Sequence, residues 1–109
     1  MNKRDHKIFQ REVIKFLKSV NTKEVNGIYK YELETKVGKL SISLGEHYPF
    51  SKMYWIYTRF ENPVTASKYF NCDKYNGKWN FYSYDYKDVL ETFKDNIEEV
   101  ISLSKENQK

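Results

Sequence analysis

A chain of 109 residues with a formal net charge of +4 and 17% aromatic residues is long enough for one domain and too rich in rings for a disordered one. It has no apolar run of about 18 residues to span a bilayer, no apolar N-terminal leader, and a single cysteine, Cys72, so it reads as a cytoplasmic domain without an internal disulfide. Hydrophobic residues make up only 39%, so large rings, each able to bury roughly 150 to 250 Å², must build much of the core.

From Arg4 to Val20, Phe9, Val13, Phe16, Leu17 and Val20 recur at three- and four-residue steps, which predicts an amphipathic helix ended by Asn21. Arg4, Lys7, Arg11, Lys15 and Lys18 recur at the same steps on its opposite face. Gly27 to Thr35 alternates, with Tyr29, Tyr31 and Leu33 against Lys30, Glu32 and Glu34, as a half-buried strand does. Lys36-Val37-Gly38-Lys39 is the expected turn into a second strand, with Leu40, Ile42 and Leu44 on one side and Ser41 and Ser43 on the other.

Gly45 to Lys52 is expected to be a loop. Met53 to Phe60 carries apolar or aromatic residues on both faces, the pattern of a central strand covered on both sides. Asn62-Pro63 is a helix-start signal, predicting a short helix to about Phe70. A polar loop from Asn71 to Gly77 then leads to a fourth strand, Lys78 to Tyr84, with Trp79 and Phe81 on one face and Tyr82 and Tyr84 on the other. Asp85 caps a final helix whose stripe is Val89, Leu90, Phe93, Ile97, Val100 and Ile101, and whose other side is acidic. Residues 104–109 are expected to fray, leaving a core of about 4–103.

These elements predict one α+β domain: helix, three-strand meander, short helix, strand, helix, with the helices packed on a mainly antiparallel four-stranded sheet. The short helix could return the fourth strand to either edge, and monomer and dimer look alike at this level.

Chemistry-bearing residues are sparse. His6 and His47 are the available general bases and Cys72 the available thiol, but no local signature joins them, and they read as exposed histidines and a partly buried thiol. The spacings that hold zinc are missing, and Gly27, Gly38, Gly45 and Gly77 are too scattered for a phosphate loop, so the chain reads as a non-enzyme without metal or cofactor. The one catalytic constellation worth naming would need Arg59, Lys78 and Asn80 to converge around a pocket.

The basic row on the first helix and the Tyr- and Trp-rich sheet are together compatible with nucleic acid. Against this, a basic row is also what a solvated helix in a lysine-rich chain shows. Only Arg4, Arg11 and Arg59 are arginines, the residue on which base and phosphate readers most often lean. The opening order of elements is similar to that of double-stranded RNA binding domains, but the second helix, starting Asn62-Pro63-Val64-Thr65-Ala66-Ser67-Lys68, lacks their phosphate-gripping lysines.

The most unusual stretch runs from Arg59 to Tyr82: Arg59-Phe60-Glu61 with Pro63 and Ala66, then Asn71-Cys72, then Gly77-Lys78-Trp79-Asn80. It resembles small uncharacterised proteins of phages, plasmids and related mobile elements, in which an Arg-Phe-acidic-x-Pro strand end is followed by a short helix and an Asn-containing loop closing on Gly-Lys-Trp-Asn. The resemblance implies a phage or mobile-element origin in a bacterial host cell and no mechanism. With it, the expected function is that of an accessory protein that binds a host or phage protein, inhibiting a host defence or regulatory factor, through Asn71, Tyr75, Lys78, Asn80 and Tyr82. The alternative is a small nucleic-acid-binding module using Arg4, Lys7, Arg11, Lys15 and Lys18 with the aromatic sheet.

Overall fold

A computed structural model describes residues 3–20, 22–25, 29–45 and 52–106. Its elements are α1 (Lys3–Ser19), β1 (Lys23–Glu24), β2 (Lys30–Thr35), β3 (Gly38–Ser43), β4 (Tyr54–Phe60), α2 (Pro63–Ala66), β5 (Phe81–Ser83) and α3 (Tyr86–Glu106). Among the described residues the sheet has five strands rather than four, in the order β1-β2-β3-β4-β5, with every neighbouring pair antiparallel. The additional strand, β1, pairs Lys23 with Glu32 and Glu24 with Tyr31. Following α2, the chain returns to lie beside β4, which settles the edge that β5 occupies. No helix among the described residues is long and apolar enough to cross a membrane.

Each element follows from local chemistry. The α1 stripe is Phe9, Val13 and Leu17, each at most 1% exposed, and His6 joins it. Burying three such apolar side chains stabilises the fold by roughly 1.5 to 3 kcal/mol each. The helix ends at Ser19, where the Leu17 carbonyl accepts the Thr22 hydroxyl at 2.7 Å and the Val20 N–H at 3.3 Å in place of a further helical N–H. Asn21, the expected terminator, and the loop from 46 to 51 lie outside the described residues. The β2–β3 turn is tighter than expected: Lys36 and Val37 alone connect Thr35 to Gly38, which has φ +101° and already belongs to β3.

Asn62 precedes Pro63 at the start of α2 as expected, though its side chain makes no capping hydrogen bond. The α-helix stops at Ala66 instead of reaching Phe70; turns closed by the Lys68, Tyr69 and Phe70 N–H groups continue the path. Asp85 caps α3 through a 3.0 Å bond from the Lys87 N–H. The α3 helix runs to Glu106, past the expected fraying point at 104, and residues 107–109 lie outside the described part.

The buried residues of α1 and α3 join those of β2 to β5 in one core, so both long helices cover the same face of the sheet. Phe93 of α3, fully buried, meets Phe16 of α1 and Phe81 of β5 edge-on at ring distances of 5.8 and 5.5 Å. In β4 this face holds Tyr54, Ile56, Thr58 and Phe60, all buried. The intervening Trp55 is only half-buried, and Tyr57 and Arg59 are exposed. β4 is central, but contrary to expectation it is covered on one side only, because two amphipathic helices, each with one apolar stripe, make a single covering layer.

Candidate functional site: the open face of the sheet

The uncovered face is built by strand register. Trp55 lies opposite Tyr82, and their rings stack at 4.5 Å with 25° between planes. Tyr57, two residues further along β4, lies parallel to Trp55 at 5.6 Å and 7°. The three rings form a ladder in which Trp55 is flanked on both sides, while Tyr57 stays 45% and Tyr82 56% exposed. Contiguous rings left partly in water make the kind of exposed patch that binding surfaces present, which a single exposed tyrosine does not.

Beside the ladder runs a polar row. The β1 to β4 pairings align Lys23, Glu32, Ser41 and Arg59, and an isolated bridge adds Lys78 opposite Arg59. The β4–β5 register, unchanged between the Ile56–Phe81 pair and the Arg59–Lys78 bridge, brings Asn80 opposite Tyr57. Arg59, Lys78 and Asn80 thus do converge, around an open concavity of about 600 Å³ lined also by Tyr57, Lys30, Glu32, Ser41 and Ser43. By register the same face carries Lys23, Lys30, Lys39, Arg59 and Lys78 against Glu32 and Glu34, and Lys39 is tied to Glu32 at 3.6 Å. Among the described residues, Arg59, Lys78 and Lys30 have no carboxylate within ion-pair reach.

The junction between β4 and the loop before β5 is held by Thr58. Its hydroxyl donates to the Trp79 carbonyl, its N–H donates to Asn80 Oδ1 at 3.3 Å, and its carbonyl accepts the Trp79 N–H at 2.9 Å. The Asn80 side chain takes the Thr58 N–H from the ladder, leaving an isolated bridge at Lys78 and a β5 of Phe81–Ser83 instead of the expected Lys78 to Tyr84. Trp79 and Phe81 are buried, and Tyr82 and Tyr84 are exposed, as their alternation predicted. Gly77, with φ +77°, bonds through its carbonyl to the Phe60 N–H at 2.9 Å and starts this junction.

The loop residues are organised around Asp73, which the sequence did not single out. Its carboxylate accepts the Tyr75 and Asn76 N–H groups at 2.7 and 3.0 Å, and these bonds hold its pKa below the usual carboxylate value. Tyr75, 82% exposed, and the exposed Asn71 stand on this loop and do not border the concavity, whereas Lys78 and Asn80 do, so the expected partner-binding set divides in two. Arg4, Lys7, Arg11, Lys15 and Lys18 are all exposed along α1. Since α1 buries its other side against the covered sheet face, this row points away from the aromatic ladder, and the two halves of the expected nucleic-acid surface do not meet.

His6 is buried rather than exposed: its ring packs on Tyr54 at 6.5 Å and on Phe9 at 6.4 Å, and desolvation lowers its pKa. Tyr54 begins β4, whereas Cys72 follows Phe70, whose ring stacks on Phe60 at the other end of that strand. A seven-residue strand separates its ends by about 20 Å, so His6 and Cys72 do not form a nucleophile–base pair. Burial also raises the Cys72 pKa, which disfavours the thiolate. His47 lies outside the described residues. Among the described residues, no three His, Cys, Asp or Glu side chains gather closely enough to hold a metal ion. Comparison of the chain with protein-family models, with curated proteins and with solved structures finds no match.

Proposed function

We propose that this chain acts by binding single-stranded nucleic acid across the open face of its sheet. The observation that carries the reading is the exposed Tyr57–Trp55–Tyr82 ladder lying beside Arg59, Lys78 and Lys30, which make no ion pair among the described residues. Aromatic platforms take unpaired bases on their rings, and a basic margin tracks the phosphates.

The reading predicts that fluorescence anisotropy detects binding to short single-stranded DNA or RNA, weakening steeply with salt, and much weaker binding to duplex. Replacing Tyr57 and Tyr82 together with alanine lowers affinity about tenfold or more, because each stacked base contributes roughly 1 to 3 kcal/mol. Replacing Lys7, Arg11 and Lys15 with glutamine changes affinity at physiological salt by no more than about threefold, since the row faces away and screening acts over about 8 Å. Loss of binding in the helix variant with retention in the tyrosine variant would reverse the assignment.

A separate observation supports a second reading. Val64, Tyr69 and Tyr75 are exposed on and after α2, within the stretch that resembles the mobile-element proteins. On this reading the chain is an accessory protein of a phage or mobile element that holds a host or phage protein through exposed residues of this segment, Asn71 among them. Its test is capture from host lysate of a protein that the Tyr69→Ala, Tyr75→Ala variant releases; equal capture by the variant removes the reading.

A further inference from the structure

We infer that Arg59, Lys78 and Asn80 form a phosphate seat and that Tyr57 takes the ring attached to that phosphate, so that the concavity on the open face holds one nucleotide unit. The inference rests on the single-strand reading and names its central contact.

The bridge sets Arg59 directly opposite Lys78, with both residues exposed. Like charges in directly opposed positions of an antiparallel pair repel, and among the described residues neither forms an ion pair: Asp73 acts on Lys78 only through space, and Glu32 borders the concavity from beyond Ser41. An anion held between them reverses the sign of the interaction. The planar Arg59 fork can donate two parallel hydrogen bonds to phosphate oxygens, and the Lys78 ammonium adds a compact charge.

Asn80 supplies the orientation. Its Oδ1 is occupied by the Thr58 N–H at 3.3 Å, which fixes the carboxamide on β4 and leaves its NH₂ group as the free donor end. Ser41, opposite Arg59, adds a hydroxyl. Ser41 and Ser43, both small, line the concavity, and about 600 Å³ lies within the range of small-ligand sites. Trp55 lies parallel to one side of the Tyr57 ring, which limits its rotamers, and Tyr57 also borders the concavity. Tyr57 and Arg59 are two residues apart on one strand face, about 6.6 Å along β4. A ring platform and an anion seat at that spacing match a base and its phosphate better than they match a carboxylate alone.

A nucleotide unit comes either from a single strand or from a free mononucleotide, and the experiment separates them. A labelled dodecamer of deoxythymidine and an unlabelled thymidine monophosphate are each titrated against wild type, the Arg59→Gln, Lys78→Gln double variant and Lys78→Arg. Thermal unfolding followed by circular dichroism confirms that each variant folds.

The expected result is about tenfold or greater loss of dodecamer affinity in the double variant, with the slope of log affinity against log salt shallower by about 0.7, the share of one single-strand phosphate. Lys78→Arg keeps most of the affinity. If the double variant folds and binds the dodecamer as wild type does, with the same salt slope, the seat is wrong and the single-strand reading survives. If wild type binds only the mononucleotide, and the double variant loses it, the seat stands and the single-strand reading falls. Binding of neither ligand by wild type overturns both.

Discussion

Replacing Gly77 with alanine is expected to destabilise the fold by about 3 kcal/mol and to disable the open face at the same time. Gly77 sits at φ +77°, a conformation that residues with a Cβ adopt only at a cost. A Cβ here would also lie 3.1 Å from the Phe60 nitrogen and run into the Phe60 carbonyl oxygen, both backbone atoms at the end of β4. Relief requires the strand or the loop to shift, which strains the 2.9 Å bond from the Phe60 N–H to the Gly77 carbonyl. The next residue is Lys78, so the bridge to Arg59 shifts with it. Gly38 provides the contrast: its φ is +101°, but its Cβ would meet the Asn62 side chain, which can rotate away. Denaturant unfolding should therefore show Gly77→Ala as clearly the worse of the two, and equal midpoints would contradict the junction described above.

Phe93→Ala is expected to cost about 3 to 5 kcal/mol. Phe93 is fully buried where α1, α3 and β5 meet, with Phe16 and Phe81 packed edge-on against its ring. The hole would open between the two helices and the strand that carries Tyr82, and neither rigid neighbour can collapse into it. For a domain of this size each kcal/mol lowers the melting temperature by about 4 to 8 °C, so calorimetry should read a fall of about 12 °C or more. Phe93→Leu, which keeps most of the volume, should lose well under half of that. A fall of only a few degrees for the alanine variant would mean that the helices do not meet β5 as described.

Much of the architecture was legible because the polar and apolar periods are clean in α1, β2, β3 and α3. Tyr31 and Leu33, Leu40 and Ile42, and Phe93 and Ile97 are buried where their spacing put them. β1 left no such mark: two exposed residues, Lys23 and Glu24, pair with β2 by register alone. β4 misled because Trp and Tyr are read as core residues wherever they occur, and because buried Thr58 interrupts the apolar face that would have revealed the alternation. Counting covering layers would have corrected this, since the two amphipathic helices supply only one. His6 carried an available signal as well, lying three residues before Phe9 on the same stripe.

The site was legible in parts. Arg59, Lys78 and Asn80 could be named as residues that would matter if they converged, but their convergence depends on the β4–β5 register, which the Thr58 side chain helps to set. Tyr57 and Trp55 were hidden by the assumption that β4 is covered on both sides. The basic row of α1 was correctly seen as a row, yet which way it faces relative to the sheet is a property of packing and leaves no trace in local spacing.

The most direct test of the central claim is an amide and side-chain NMR titration of the isotope-labelled chain with a short single-stranded oligonucleotide. The largest shifts are expected on Tyr57, Arg59, Lys78, Asn80 and the Trp55 indole, with Tyr82 following and Lys7, Arg11 and Lys15 barely moving. Shifts concentrated on α1, or no shifts at all at low salt, would contradict it.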